Sequence, residues 1–541
     1  VIVYASNKLH FSKDVRSNTI ESKVQDAFVK KLGYGTSKKE IESWRNSLMY
    51  MNNIISDDEI PDDAGVAIEY RIPMASKRID FILTGQNAEK KDALIIVELK
   101  QWTEVHATSM DAIVRTPLGN GFHATSHPSY QAWTYASLLQ NFSKTVQEGE
   151  IAVHPCAYLH NCVDGSALMS DFYSEHLKQA PVFLRTDVDK LVAFFKKHIK
   201  YGDQKGLLYQ IDGGQIRPSK SLADKVSSML AGNKEFILID EQKVVFETCL
   251  QLAENSSAKK KNVLIVEGGP GSGKSVVAVN LLAELISRQK NAKYITKNSA
   301  PRVVYENKLT GSFRKSQISN LFGGTGSFSE NEDNIFDVLI VDEAHRLNEK
   351  SGLYQNQGLN QVKEIIDAAF TSIFFIDENQ RIALKDIGTK EEILKWAKAI
   401  NATVTELVLP SQFRCNGSDG YLAWLDNHLG VKETANVEFG DFDYNFSVFD
   451  SPSSLKNAIV EANKKSGKAR LVAGYCWDWK SKKDKRQFDI ELDRDFKMKW
   501  NLTEDGGTWL LKEHSIEQVG CIHTCQGLEL DYVGVIMGPD F

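Results

Sequence analysis

The chain has few of the features that would tie it to a bilayer, a zinc ribbon or an oxidising compartment. No apolar run approaches the ~20 residues needed to cross a membrane. No charged-then-apolar leader opens the sequence. The seven cysteines (Cys156, Cys162, Cys249, Cys415, Cys476, Cys521 and Cys525) are odd in number, and no two have C-x-x-C spacing. That argues against a disulfide framework and against a paired-cysteine metal site. Reduced thiols in a cytoplasmic protein are expected. A surplus of positive charge is also missing: 65 Lys and Arg face 71 Asp and Glu, for a net charge of −6. Any nucleic-acid surface is therefore a local cleft and not a coat. The 541 residues exceed what one core organises. The sequence opens at Val1 in strand-like VIVYA and closes just after YVGVIMG, so truncation at both ends is expected.

What is present centres on residues 262–280, NVLIVEGGPGSGKSVVAVN. A short apolar run rich in β-branched residues predicts a buried strand. A glycine-rich turn and an apolar helix follow, which is G-x-x-x-x-G-K-[ST] in its required context. Gly268, Gly269, Gly271 and Gly273 let backbone N–H groups turn towards a phosphate, and the helix N-terminus adds positive potential. Lys274 would reach the β and γ phosphates of ATP, and Ser275 would ligate Mg²⁺. Downstream, FDVLIVDEAHRL (336–347) is an apolar strand ending in Asp342 and Glu343. This Walker B pattern would hold Mg²⁺ through Asp342 and activate water through Glu343. SIFFIDENQRI (372–382) ends another buried strand with Gln380, a candidate γ-phosphate sensor.

The N-terminal third carries a second pattern. Residues 20–32 form a helix with Ile20, Val24, Phe28 and Leu32 on one stripe and Glu21 on a neighbouring face. Three strands follow: VAIEYRI (66–72), RIDFILT (78–84) and ALIIVEL (93–99). Asp80 lies on the second; Glu98 and Lys100 lie two apart on the third and so share a face. Asp80 and Glu98 are hard oxygen donors suited to Mg²⁺, with Mn²⁺ as a substitute, and Lys100 would orient or polarise the nucleophile. HPSYQAWTYASLL places Gln131 and Tyr135 one helical turn apart. An acidic residue, then E-x-K at a strand end, then Q-x-x-x-Y resembles the PD-(D/E)xK nucleases of RecB type. That resemblance gives Glu21 a metal contact and Gln131 and Tyr135 a supporting role. His123 and His127 read as loop histidines, with His127 capping the turn into the helix. Residues 151–200 are expected to complete this sheet.

The remaining motifs carry the second resemblance. Gln242, just before the phosphate loop, is where superfamily 1 helicases read adenine. KYITKNSAPRVVY (293–305) is strand, turn, helix, with Thr296, Asn298 and Arg302 as candidate nucleic-acid contacts. LVLPSQFRCN offers Arg414 as an arginine supplied across the nucleotide cleft, and HTCQGLE places His523, Thr524, Gln526 and Glu529 in a motif V-like segment. WDWKSKKDKRQ (477–487) reads as a solvated basic loop, with a nucleic-acid contact through Trp477 and Trp479 beside its cations as the alternative. The full order resembles a bacterial family of DNA/RNA helicase domain proteins related to the helicase-like region of group III Schlafens. The resemblance implies an α/β protein: a PD-(D/E)xK nuclease-like domain (1–205), a connector (206–235), a first RecA-like lobe (236–400) and a second (401–541). The second lobe is incomplete, since no T-R motif follows. The implied function is a Mg²⁺-dependent nuclease coupled to an ATP-driven helicase or translocase on nucleic acid, DNA before RNA, with a role in defence against foreign nucleic acid. Two alternatives stand: a nuclease gated by ATP without translocation, and a nucleic-acid sensor with a vestigial nuclease site. No membrane partner is expected, and oligomerisation is left open.

Overall fold

The computed structural model describes residues 2–32, 36–72, 77–119, 121–214, 222–231, 236–309, 318, 320–328, 333–351, 357–381, 385–410, 419–430, 445–492, 495–501, 509–510, 512–521, 525 and 530–538. It is an α/β chain with three larger sheets and one small one.

The first sheet has six strands, in the order Ile2–Asn7, Gly65–Arg71, Arg78–Gln86, Asp92–Lys100, Ala152–Leu159, Val182–Leu184. The first four run antiparallel and the last two join in parallel. The expected strands at 66–72, 78–84 and 93–99 are all present, and residues 151–200 do complete this sheet. Helix Ile20–Leu32 buries Ile20, Val24 and Phe28 against one face, as its stripe requires. Helix Pro128–Phe142 covers the other face through Tyr135, Ala136 and Leu139.

That helix starts as the sequence implies. Pro128 sits in the first turn, and the His127 ring accepts the Ser129 N–H. His123, by contrast, is no loop residue. It lies in strand Gly121–Ser126 of a small antiparallel sheet with Ile113–Leu118 and His106–Ala107. The alternation there is interrupted by polar and small residues, so periodicity gave little signal.

The second sheet is wholly parallel. Its order is Phe322–Gly323, Ala292–Thr296, Phe336–Asp342, Ala369–Ile376, Asn262–Gly268, Thr403–Leu409. One strand thus separates the phosphate-loop strand from the Walker B strand, and all three read as continuous apolar runs because both faces are covered. Thr403–Leu409 pairs along the whole phosphate-loop strand. The unit drawn to end at residue 400 therefore extends at least to Leu409. The 206–235 stretch is also more than a connector. Helix Leu207–Asp212 packs Leu207, Leu208 and Ile211 onto the first sheet, while helix Leu222–Leu230 sends Val226 and Met229 into the second core.

The third sheet takes the order Ile490–Glu491, Lys497–Trp500, Gln518–Cys521, Ala469–Ala473, Tyr532–Ile536. Trp477 and Trp479 of the basic segment pack partly against its core, beside Trp500. These two indoles are therefore packing groups as much as exposed ones.

His127 gives this architecture a pH signature. Burial pulls its pKa down to about 4, against a weaker opposing effect of its bond to the Leu168 carbonyl. Below pH ~6.5 the unfolded chain takes up a proton that the native ring refuses. Stability present above that pH is lost as pH falls towards 4, by up to roughly 3 kcal/mol. His127→Asn keeps a capping acceptor but does not titrate. Its melting temperature is expected to fall less than the parent's between pH 7 and 5, and equal slopes would refute the assignment.

Candidate functional site

Two acidic centres stand out, one in each of the first two sheets. The first is built from strands Arg78–Gln86 and Asp92–Lys100. Phe81 pairs with Val97, so one step further along sets Asp80 beside Glu98. The Asp80 carboxylate accepts the Leu99 N–H at 2.7 Å, and Lys100 Nζ donates to Glu98 Oε1 at 2.7 Å. The second oxygen, Glu98 Oε2, is buried without a hydrogen-bond partner among the described residues. Burial, then the neighbouring Asp80 charge, raises the Glu98 pKa against the pull of Lys100. Burial raises Asp80 likewise. Burial works against the Lys100 charge, but Glu98 and Asp80 outweigh it and its pKa rises.

Asp80 and Glu98 open into a cavity of about 520 Å³ whose wall also includes Gln131 and Tyr135. Gln131 Nε2 donates to the Tyr135 hydroxyl at 2.8 Å. The predicted Asp80, Glu98, Gln131 and Tyr135 are therefore gathered in one place. Glu21 is not among the lining residues; its carboxylate accepts from Arg45 Nε at 2.9 Å. Glu69 does line this cavity, and burial lifts its pKa to about 7, against the pull of Arg78 and with the Asp80 charge adding to the rise. Glu69 has a positive φ of 55° and is held by Trp44 Nε1 and Arg78 Nε. In the sequence it was one polar position in an apolar strand, with nothing to flag it. Lys77, Arg78 and Pro410 also line the wall, as does a further acidic residue, Glu40.

Would a divalent cation fit here? Among the described residues, no three His, Cys, Asp or Glu side chains gather as a metal cluster. The donor set is the carboxylate pair, and the orphaned Glu98 Oε2 is what a cation would satisfy.

The second centre lies at the C-terminal ends of the parallel strands, where such sheets bind ligands. Gly271 and Gly273 have φ of 74° and 86°, which a side chain would strain. Gly269 faces open space, with nothing within 4 Å of where a Cβ would stand. The loop thus stays bare at Gly269, and the residues are compatible with ATP. Lys274 Nζ donates to the Gly268 and Gly269 carbonyls at 2.6 and 2.9 Å. Ser275 Oγ and the Tyr294 hydroxyl both donate to Asp342 Oδ2 at 2.6 Å. Burial, and then Glu343, raises the Asp342 pKa.

Glu343 takes a left-handed conformation at the strand end. Its Oε2 lies 3.2 Å from His345 Nε2, while His345 Nδ1 accepts the Asp377 N–H at 3.2 Å. Asp377 in turn accepts from Gln380 Nε2 at 2.8 Å. His345 therefore stands between the Walker B glutamate and the Asp377–Gln380 pair, in hydrogen-bond contact with the second and in proximity to the first. Gln242 Nε2 donates to the Ser272 carbonyl of the phosphate loop at 3.2 Å. Thr296 pairs in register with Asp342 and is 1% exposed, so it is not presented to a nucleic-acid strand. Arg414, His523, Thr524, Gln526 and Glu529 lie outside the described residues.

A phosphate loop and a carboxylate-ended strand on one parallel sheet, with a glutamine bonded to that loop, are the parts of a helicase-like ATPase. The chain belongs to the Schlafen group 3, DNA/RNA helicase domain family, whose model matches residues 261–541, just over half of its length. It is also similar to the uncharacterized protein YPL245W of Saccharomyces cerevisiae, 22% identical over 373 residues, which span 60% of this chain and 80% of the yeast protein.

Glu343→Gln tests the water-activating role. ATP binding is expected to persist while turnover falls by about 10²-fold or more, since the water loses its base. Parent-like turnover, measured by phosphate release, would remove Glu343 from that role.

Proposed function

We propose that the chain couples a metal-dependent nuclease in its N-terminal unit to a helicase-like ATPase of two RecA-like lobes. The observation that carries the nuclease reading is the Asp80 and Glu98 pair on the wall of a roomy cavity, with Lys100 bonded to one Glu98 oxygen from behind that wall and the other oxygen buried without a hydrogen-bond partner among the described residues. A Mg²⁺ or Mn²⁺ ion held by Asp80 and Glu98 would supply Lewis-acid stabilisation and an activated water. Lys100, fixed by Glu98, holds a positive charge where negative charge grows on the phosphate. Lys77 and Arg78 on the cavity wall would meet a phosphodiester backbone, and DNA is the proposed substrate before RNA. At the ATPase centre, Ser275 and Asp342 would hold Mg²⁺, Lys274 the β and γ phosphates, and Glu343 the proton of the attacking water.

Of the two ways ATP could serve the nuclease, gating has the stronger support. The wall of the acidic cavity includes Pro410, which directly follows the edge strand of the ATPase sheet. Closure on ATP would thus bear on the cavity itself.

The test is incubation with labelled single- and double-stranded DNA and RNA, with Mg²⁺ or Mn²⁺, with and without ATP. Asp80→Ala and Glu98→Ala are each expected to lower cleavage by about 10³-fold, and Lys100→Ala by roughly 10- to 100-fold with metal still bound. ATP hydrolysis survives all three. Parent-like cutting by the Asp80→Ala, Glu98→Ala double variant would place the activity elsewhere. A parent inert towards every nucleic acid would leave the sensor reading in its place.

A further inference from the structure

The helix that carries Gln242 begins in an unusual way. Asp240 precedes helix Glu241–Glu254 in the N-cap position, where an aspartate side chain ordinarily accepts the orphan N–H groups of the first turn. Here it makes no such bond. Its backbone sits at φ 42°, ψ −115°, a region that strains a non-glycine residue. The side chain is turned towards the N-terminal unit instead. Its Oδ2 accepts from the Tyr135 hydroxyl at 2.7 Å and lies 3.1 Å from Lys77 Nζ. Its Oδ1 is buried with no hydrogen-bond partner among the described residues.

The flanking backbone is held to the same unit. Ser126 Oγ donates to the Asp240 carbonyl and the Tyr130 hydroxyl to the Leu238 carbonyl. Two residues on, Gln242 reaches the phosphate loop at Ser272 and also accepts the Ile239 N–H at 3.4 Å. Leu238 to Gln242 is thus one short turn with the acidic cavity at one end and the nucleotide loop at the other.

We infer that Asp240 is a positioning residue of the acidic cavity, supplied from the ATPase side, and that through it the cavity responds to nucleotide at the phosphate loop. A cap bond has been forgone and a strained backbone kept, and the contacts obtained in exchange all lie on Tyr135, Lys77 and their neighbours. Nucleotide that engages Gln242 shifts the turn, and the turn moves the Tyr135 hydroxyl and Lys77 at the cavity wall. The consequence for cleavage rests on the nuclease reading above; the coupling itself does not.

The test uses the full chain, with Asp240→Gly, which suits the positive φ, and Tyr135→Phe, which removes the same hydrogen bond from the other side. Hydrogen exchange is followed across helix Pro128–Phe142 with and without a non-hydrolysable ATP analogue. In the parent, nucleotide is expected to change exchange in that helix by about threefold or more. Each variant loses that response while binding the analogue within about twofold of the parent, and the double variant behaves as either single one. A response that persists in Tyr135→Phe, or a parent helix indifferent to bound nucleotide, overturns the inference. Should Asp240→Gly not fold, Tyr135→Phe alone decides. A chain that passes this test yet never cuts nucleic acid refutes the nuclease reading and not the coupling. Where cutting is seen, the ratio of rates with and without ATP falls towards one in Asp240→Asn.

Discussion

The hydrogen bond from Tyr135 to Asp240 is the contact on which the arrangement of the two halves turns. Tyr135 is fully buried in the N-terminal unit, and Asp240 is 7% exposed at the start of the ATPase helix. A hydroxyl and a carboxylate removed from water are each costly unless they meet, so the bond specifies how the units dock as well as holding them. The contacts around it reinforce the same registration. Lys77 reaches both Asp240 and Glu241, and Lys243 bridges Asp111 of the first unit and Glu247 of its own helix. Most of these charges are largely buried, so loss of one partner would strand the other.

The same economy of burial governs both acidic centres. Asp80 with Glu98, and Asp342 with Glu343, each place two carboxylates together in a low-dielectric setting, and in each pair burial raises a carboxyl pKa. Like charges held this close are unfavourable by themselves. The compensations differ. At the first centre an ammonium, Lys100, is built into the same strand. At the second, two neutral hydroxyls, from Ser275 and Tyr294, converge on one carboxylate oxygen. An ammonium acts at each centre: Lys100 bonded to Glu98 at the first, and Lys274, whose charge favours the ionised Asp342, at the second.

How much of this could be read from the sequence depends on the range of the interaction. The phosphate loop, the Walker B strand and the E-x-K strand are local patterns, with function and fold written in consecutive residues. Strand registration then follows from apolar patterning, which is why Asp80 and Glu98 meet as their strands imply. His345 and Glu69 were less legible because their roles depend on partners far away in the chain, Asp377 in one case and Trp44 and Arg78 in the other. Glu21 shows the converse. It occupies the right place in the linear order, yet its nearest cation, Arg45 on the next helix, captures it. The strand Thr403–Leu409 was assigned to the wrong unit because a parallel edge strand reads like any other short apolar run until its partner is known.

Asp240 was invisible for a further reason. An aspartate just before a helix is the most ordinary of N-caps, and nothing in its neighbours predicts that it would decline that role. Only its backbone conformation and the direction of its carboxylate show that it serves the adjoining unit. The cost of that choice is borne by the ATPase helix, whose first turn loses a side-chain cap, while the benefit falls on the acidic cavity. The place of Asp240 at the seam, two residues from Gln242, is the geometry on which the proposed coupling of the nucleotide site to the acidic cavity rests.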